Sequence, residues 1–255
     1  MIKDNIKISI VTPTLNQARY ITDTIESVLN QNYKNFEHIV IDGNSNDGTL
    51  DILKSYKHIR WISEPDKGAA NAINKGLKLT SGDVVTWLNS DDYYDSGVFE
   101  KVNELFSLKS ELDFICGNLT YIDENKNILL EDKTHNYDLD YLINYSADVV
   151  RQPSTFFTKR LLKKTGFLDE DLKFAFDYEL FIRMLKITDP YFVDKNFAFY
   201  RDYENTLTRK NLRKQSLEIF KISRKYCGKL FSKLNKQNIK KLILPESFII
   251  KTEKN

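Results

Sequence analysis

The sequence predicts an α/β fold, a mostly parallel, doubly wound sheet with helices on both faces, followed by a basic helical extension. Three observations carry this expectation. Strand-like apolar runs alternate with helical periodicity three times within the first ~90 residues. Each of those strands ends in a polar loop, and in a parallel sheet such loops gather on one edge. Charge is also divided unevenly: residues 1–208 carry 24 Lys/Arg against 33 Asp/Glu, whereas residues 209–255 carry 14 against 3. An acidic body joined to a basic extension points to an anionic partner for the extension.

The elements follow in order. Ile6 to Thr12 is a strand, closed by Pro13 and the polar Thr14-Leu15-Asn16-Gln17. Tyr20 to Leu29 sets Ile21, Ile25, Val28 and Leu29 at helical spacing. Phe36 to Ile41 is a strand ending in the loop Asp42-Gly43-Asn44-Ser45-Asn46-Asp47-Gly48-Thr49, and a short helix with Leu50, Ile52 and Leu53 follows. Ile59 to Ile62 is a third strand, ending in Ser63-Glu64-Pro65-Asp66-Lys67-Gly68, and Ala69 to Leu79 is helical. Val84 to Leu88 is a buried strand that stops at Asn89-Ser90-Asp91-Asp92.

Beyond Asp95, Val98 to Leu108 is an amphipathic helix. Phe114 to Ile122 and Ile128 to Glu131 form a hairpin around an Asp-Glu-Asn-Lys-Asn turn. Val149 to Thr158 holds Arg151-Gln152-Pro153-Ser154, Asp177 to Ile187 is a helix with Glu179 and Arg183 paired at i, i+4, and Tyr191 to Val193 and Phe197 to Tyr200 are two short strands. In the basic extension Phe220, Cys227, Leu230, Phe231 and Leu234 fall on one helical face, and Ile239, Leu242, Ile243 and Leu244 form a second apolar group. A basic amphipathic helix is either a packing helix or a membrane-surface element.

Composition narrows the class. Apolar content of 41% and charged content of 29% are ordinary for a globular protein. Cys116 and Cys227 share no motif spacing, which argues against a disulfide framework and fits a reducing compartment. The first residues lack an apolar signal segment, and no apolar run approaches the ~20 residues that span a bilayer. The expectation is a cytoplasmic protein whose membrane contact, if any, is peripheral. Aromatic interleaving in the extension is sparse, so no nucleic acid is expected as a partner.

Four loops on one edge supply Asp42, Asp47, Asp66, Asp91 and Asp92, with Lys67 and Lys75 as candidate phosphate or carboxylate partners. Any one of these acids could be a turn former or helix cap. Together they crowd one rim with negative charge, which a divalent cation bridging a nucleotide diphosphate would relieve. Neither a glycine-rich dinucleotide fingerprint nor a Walker loop is present to explain the rim otherwise.

Five ordered motifs resemble family 2 inverting glycosyltransferases of the GT-A fold, of the bacterial surface-polysaccharide type: Ser9-Ile10-Val11-Thr12-Pro13-Thr14-Leu15-Asn16; Ile41-Asp42-Gly43-Asn44-Ser45-Asn46-Asp47-Gly48-Thr49; Glu64-Pro65-Asp66-Lys67-Gly68 with Ala72-Ile73-Asn74-Lys75-Gly76; Trp87-Leu88-Asn89-Ser90-Asp91-Asp92; and Phe176-Asp177-Tyr178-Glu179-Leu180. The resemblance spans roughly residues 6–205 and is specific only as a set. It implies a catalytic domain over 1–208, with 1–95 as nucleotide half and 96–208 as acceptor half, and an extension over 209–255. It implies that Thr12, Pro13 and Asn16 lie against the nucleoside, and that Asp42 reads the base, usually uracil. Asp66, Lys67, Asn74 and Lys75 would wall base and ribose. Asp91 and Asp92 would hold Mn²⁺ or Mg²⁺, with Asp91 also at the nucleotide, and Asp177 would be the catalytic base. Arg151, Gln152 and Ser154 stand where relatives contact donor or acceptor, although an edge-strand reading is as good.

The implied activity is hexosyl or N-acetylhexosaminyl transfer from a nucleotide-sugar donor, UDP-linked by expectation. The implied acceptor is a saccharide or lipid-linked saccharide in polysaccharide or lipopolysaccharide synthesis, and the extension would touch an anionic membrane surface. Two departures stand out. The first position of the Asp-x-Asp signature is Asn89, and Tyr200-Arg201-Asp202-Tyr203 puts a tyrosine where many relatives carry a late histidine. No histidine ligand is expected, and His38, His58 and His135 read as surface or core residues. The rival functions are a silent sugar-nucleotide-binding module and a nucleotidyltransferase, which would carry a glycine- and Arg-rich triphosphate loop that Thr12 to Gln17 does not supply.

Overall fold

The computed structural model describes residues 5–147, 149–204 and 206–244. Residues 245–255 of the predicted extension lie outside them. Four parallel strands form the first half of one sheet: β1 (Ile8–Thr14), β2 (Phe36–Asp42), β3 (Ile59–Ser63) and β4 (Val84–Trp87). The helices α1 (Ile21–Leu29), α2 (Thr49–Ser55) and α3 (Ala69–Leu79) make the crossovers. Side chains alternate across β1: Ile8 and Ile10 enter a core on one face, while Val11 packs with Ile73 and Leu77 of α3 on the other.

The second half continues the same sheet. It contains the two-residue β5 (Tyr93–Tyr94), β6 (Phe114–Ile122), β7 (Ile128–Asp132), β8 (Thr155–Thr158) and β9 (Tyr191–Arg201), giving the order β3-β2-β1-β4-β8-β6-β9-β5 with β7 hairpinned onto β6. β8 runs antiparallel between β4 and β6, and β9 is parallel to β6. The helices here are α4 (Val98–Leu108), α5 (Leu139–Asn144), α6 (Lys159–Thr165) and α7 (Phe176–Leu185). The chain finishes with α8 (Leu207–Lys210), α9 (Leu212–Lys225) and α10 (Lys233–Ile243).

Three differences from the sequence reading have physical causes. β1 runs through Pro13 to Thr14. Val11 offers its carbonyl to Leu88 N on the β4 side, and Pro13, two residues on, faces that side beyond the end of β4, where no N–H is needed. The two late strands are one, β9, whose register shifts beside Gly117 and Asn118 absorb the polar Asp194-Lys195-Asn196 interruption. The apolar face assigned to the extension does not exist as one helix. Cys227 takes φ 67° in the turn between α9 and α10, and Cys227, Leu230 and Phe231 are exposed. Of that set Leu234 does enter the core, joined by Ile222, with Ile219 and Tyr226 packed against it. The extension is therefore docked on the body through 212–244.

Candidate active site

The loops after β1, β2, β3 and β4 lie at one sheet edge; the first three are tied by each other's polar groups, and the fourth is held from α1 and from the end of β9. Asn16, at φ 53°, takes a hydrogen bond from Asn46 N to its Oδ1 and donates its own N–H to Ser45 Oγ, tying the first two loops together. Asp47 accepts from Thr49 N at the start of α2 and from Ala18 N across the gap. Asp42 is fully buried, and its two oxygens accept from Asn44 N, Ser45 N, Ser45 Oγ and Ser63 Oγ. Four bonds are about what a carboxylate can accept, so in this arrangement Asp42 shapes the loop.

Asp66 stands against that loop. Its Oδ1 accepts from Gly68 N at 2.7 Å, and its Oδ2 lies 2.6 Å from where a side chain at Gly43 would begin. Only glycine fits at 43 with Asp66 so placed. Thr12 is buried, its hydroxyl 2.9 Å from His38 Nε2, whereas the buried Thr14 hydroxyl has no protein partner.

The third loop is sewn to the other half of the protein. Asn74, buried in α3, donates to Leu168 O and Glu170 Oε1 and accepts from Leu168 N. Asn71 donates to Glu170 Oε2, and Lys173 Nζ donates to the carbonyls of Lys67 and Glu170. Lys75 is paired with Glu64 at 2.7 Å and also reaches Pro65 O. Asn74 and Lys75 thus fix the segment leading to α7 and the loop after β3, while the Lys67 side chain stays exposed.

The loop after β4 separates its two acids. Asp92 is fully buried; Oδ1 accepts from Arg201 N at 3.0 Å, Oδ2 from Asn89 Nδ2, and its carbonyl from Thr24 Oγ1. Asp91 is half-buried, with Oδ2 taking the Tyr203 hydroxyl proton at 3.1 Å. Desolvation pushes Asp91 up, and desolvation together with the neighbouring Asp91 charge pushes Asp92 well above the usual carboxylate range. Arg201 buttresses the loop from the end of β9. Its Nε donates to Asp91 O, Nη1 to Glu124 O and Nη2 to Asp23 Oδ2, and its guanidinium lies 4.5 Å from the Tyr20 ring centroid. The Tyr-Arg-Asp-Tyr sequence at 200–203 marked the place, but nothing in it showed that Arg201 points inward.

Asp177 is the second residue of α7, in its first turn. The helix cap is Ala175, so capping is not the role of Asp177. Burial raises its pKa to about 6, against the hydrogen bond from Tyr178 N, with Glu218 adding to the rise. One turn on, Phe181 stacks on Trp87 at 6.3 Å between centroids, and Trp87 is the last residue of β4 before the Asp91 loop. The Glu179–Arg183 pair forms as expected at 2.7 Å.

Arg151, Gln152 and Ser154 lie in and beside a 3₁₀ turn (Gln152–Ser154) and are buried. Arg151 donates to Asp132, Lys133 O and Val149 O, Gln152 to Trp87 O, and Ser154 to Asn118 O. They brace β4, β6 and β7 from inside, and β8, which follows them, is central rather than an edge strand.

Among the described residues no group of three or more His, Cys, Asp or Glu side chains forms a metal cage. The donor set still fits Mn²⁺ or Mg²⁺ in one respect. These ions bind through one or two carboxylates plus substrate phosphates, and Asp91 is a half-buried hard oxygen donor whose pKa desolvation raises against the Tyr203 hydrogen bond and the Arg201 charge. Asp92, with both oxygens engaged by Asn89 and Arg201 N and none of its surface exposed, would hold the loop that presents Asp91 to such an ion.

Residues 9–207 match the family model described as glycosyl transferase family 2. An uncharacterized glycosyltransferase of Rickettsia typhi is 30% identical over 192 residues, which cover 72% of this chain and 60% of that protein. The chain thus spans less than two thirds of that relative's length. The putative teichuronic acid biosynthesis glycosyltransferase TuaG of Bacillus subtilis is 38% identical over 109 residues, covering 40% of this chain and 43% of that one. S. aureus TarS 1-349, solved in complex with UDP-GlcNAc, superposes with a TM-score of 0.70 over 92% of this chain and 70% of that one, at 20% identity. That likeness establishes a shared fold, the GT-A fold that the motifs led one to expect.

Proposed function

The chain belongs to glycosyl transferase family 2, and from that premise we propose that it is a metal-dependent inverting transferase with Asp177 as base. In this reading it moves a hexosyl or N-acetylhexosaminyl group from a UDP-sugar to a saccharide hydroxyl in bacterial surface polysaccharide synthesis. The observation that carries the proposal is the placement of Asp177: a carboxyl with a pKa of about 6, on a helix packed against the strand end that delivers Asp91. A base poised near neutral pH is suited to take a proton from an attacking hydroxyl. TarS is known with UDP-GlcNAc, and TuaG by its name serves teichuronic acid synthesis. These support a UDP-linked donor and a polysaccharide acceptor, free or lipid-linked.

The loop residues then have distinct tasks. Asp42, Asn16, Asp47 and Gly43 hold the first two loops in the shape that receives the base, with Thr12 and Pro13 beneath them. The unpartnered Thr14 hydroxyl and Asp66 offer polar contacts at that floor. Lys67, exposed on the third loop, offers a charge to the ribose or phosphates. Asp91 would hold the metal, and a bound Mn²⁺ or Mg²⁺ would supply charge compensation to the diphosphate. Asp177 accepts the proton of the acceptor hydroxyl, whose oxygen forms the new bond to the anomeric carbon as the bond to the diphosphate breaks. One such displacement inverts the anomeric centre.

No described helix is long and apolar enough to cross a membrane. The solvent side of α9 and α10 exposes Lys214, Lys221, Lys225, Lys233, Lys236 and Lys240, which supports peripheral contact with anionic lipid.

The test is Asp177→Asn assayed by release of the donor's own nucleotide (UDP, GDP, dTDP or CMP) from a panel of UDP-, GDP-, dTDP- and CMP-sugars with Mn²⁺ and an acceptor glycan. The variant should lose roughly 10²–10⁴-fold in transfer while binding UDP as the parent does. In the parent, kcat/KM should fall below about pH 6, where the base becomes protonated. Full turnover by the variant would refute the assignment. UDP binding by the parent without UDP release from any donor would mark a silent binding module instead.

A further inference from the structure

We propose that Glu218, on α9 of the basic extension, is a positioning residue for Asp177. Its carboxylate clamps the backbone that leads into α7, so that residues 212–244 complete the active site. Oε1 accepts from Lys173 N at 3.0 Å, and Oε2 accepts from Phe174 N at 2.9 Å and Ala175 N at 3.0 Å. Three successive N–H groups directly ahead of a helix would otherwise need water or a cap, and Ala175, the residue in the cap position, has no side chain that could serve. A carboxylate there also meets the positive end of the α7 dipole.

The clamp is itself held. Ile222 is in the core, Ser223 Oγ donates to Ile143 O at 2.9 Å, and Asn235 Nδ2 of α10 donates to Ser223 Oγ at 3.0 Å. The Tyr226 hydroxyl donates to Glu179, two residues beyond Asp177. On the opposite side the same segment is fixed by Lys173 Nζ on the carbonyls of Lys67 and Glu170. The segment leading to Asp177 is therefore gripped between the loop after β3 and a helix more than forty residues later in sequence.

Glu218 also acts through its charge. It is the ionised group from a neighbouring element that adds to the raised pKa of Asp177, after burial. Glu179, on the same helix as Asp177, is neutralised by Arg183, and the Lys173 ammonium is turned toward carbonyls. This inference rests on Asp177 being the base, so its test has one arm that does not depend on catalysis.

Glu218→Gln keeps the size but loses the charge and one acceptor oxygen. In the full chain, amide hydrogen exchange at Lys173, Phe174 and Ala175 should quicken, kcat should fall about 10- to 100-fold, and donor KM should stay near the parent value. The acid limb of the pH profile should move to lower pH, which a merely structural role would not produce. Glu218→Asp, which keeps the charge one methylene short, should give the smaller loss, and it serves if the amide variant folds poorly. Leu217→Lys, at an exposed neighbouring site, should change none of these. Exchange at 173–175 as slow as in the parent would overturn the clamp, and a reduced kcat with an unmoved acid limb would overturn the positioning role. Full turnover by Asp177→Asn would remove the base, and positioning with it, while exchange would still report whether the clamp exists.

Discussion

Replacing Arg201 by Met tests whether the Asp91 loop is held from β9. The buried guanidinium makes three hydrogen bonds: to Asp91 O at 3.0 Å, to Glu124 O at 3.1 Å and to Asp23 Oδ2 at 2.8 Å. Met fills the space of the aliphatic stem and leaves the Arg201 N to Asp92 bond intact, so the change isolates the head group. Asp23 keeps a second partner, Lys126 at 2.8 Å, and is not left as an unpaired charge. Two carbonyls lose a charged donor, at about 1.5 kcal/mol each, and a partly buried ion pair contributes about 1 kcal/mol more. Loss of the contact with Tyr20 adds about 0.5 kcal/mol. The sum, roughly 4–5 kcal/mol, is close to the lower end of whole-domain stabilities of about 5–15 kcal/mol. Urea unfolding should show the midpoint lowered with little change in slope, and the Mn²⁺ concentration giving half-maximal transfer should rise. A loss under about 1 kcal/mol together with unchanged Mn²⁺ dependence would refute the argument that Arg201 sets this loop.

Two further outcomes follow from single contacts. Gly43→Ala places a methyl 2.6 Å from Asp66 Oδ2 and must shift that carboxylate, whose other oxygen holds Gly68 N. Affinity for UDP, read by calorimetry, should drop while thermal stability falls by only about 1–3 kcal/mol; unchanged UDP affinity would count against Asp66 at the nucleotide. His38 is fully buried, and burial, then His58, lowers its pKa to about 3. Because the folded value lies below the unfolded one near 6.5, its contribution to stability is complete above pH 6.5 and is lost as pH falls from there toward 3. Between pH 6.5 and 5 that amounts to about 2 kcal/mol. The comparison of parent and His38→Gln over that range should show the parent's steeper decline; parallel curves would exclude His38 as its source.

Much of the fold was legible because periodicity and burial agree. α3, α4 and β6 begin and end where their apolar spacing says. Elements were misread where a local signal and a distant contact disagree. Asp194-Lys195-Asn196 reads as a break, yet Asn196 and Lys195 are engaged by Thr120 and by the carbonyl of Gly97, and the strand continues. Leu230 and Phe231 read as core at helical spacing, but the left-handed Cys227 and the crowded Gly228 end the helix before them. Among site residues, a polar side chain announces its chemistry and not its direction. Arg151, Gln152 and Ser154 read in the sequence either as ligand contacts or as an edge strand, and nothing in their identity announces the sheet-bracing bonds they make. Glu218 looks like one acid in a basic stretch and turns out to hold three backbone donors.

The crowding of carboxylates on the rim has a physical resolution that the sequence could not supply. Asp42 and Asp47 are satisfied by backbone and hydroxyl donors of their own loops, so their charge is spread into neutral hydrogen bonds that cost nothing in counter-ions. Asp92 is tied to the backbone of Arg201, and its raised pKa follows from burial beside Asp91. Asp66 is held by Gly68 N on the third loop, and Asp91 is half-buried and bonded to a neutral hydroxyl, beside an arginine whose head group donates to carbonyls and to Asp23. The closest repulsion on the rim is that between Asp91 and Asp92, and the member of that pair facing outward is Asp91. Arg201 offsets part of this repulsion, yet desolvation still leaves both carboxyls raised, so a cation arriving with a diphosphate would be favoured at the outward-facing Asp91.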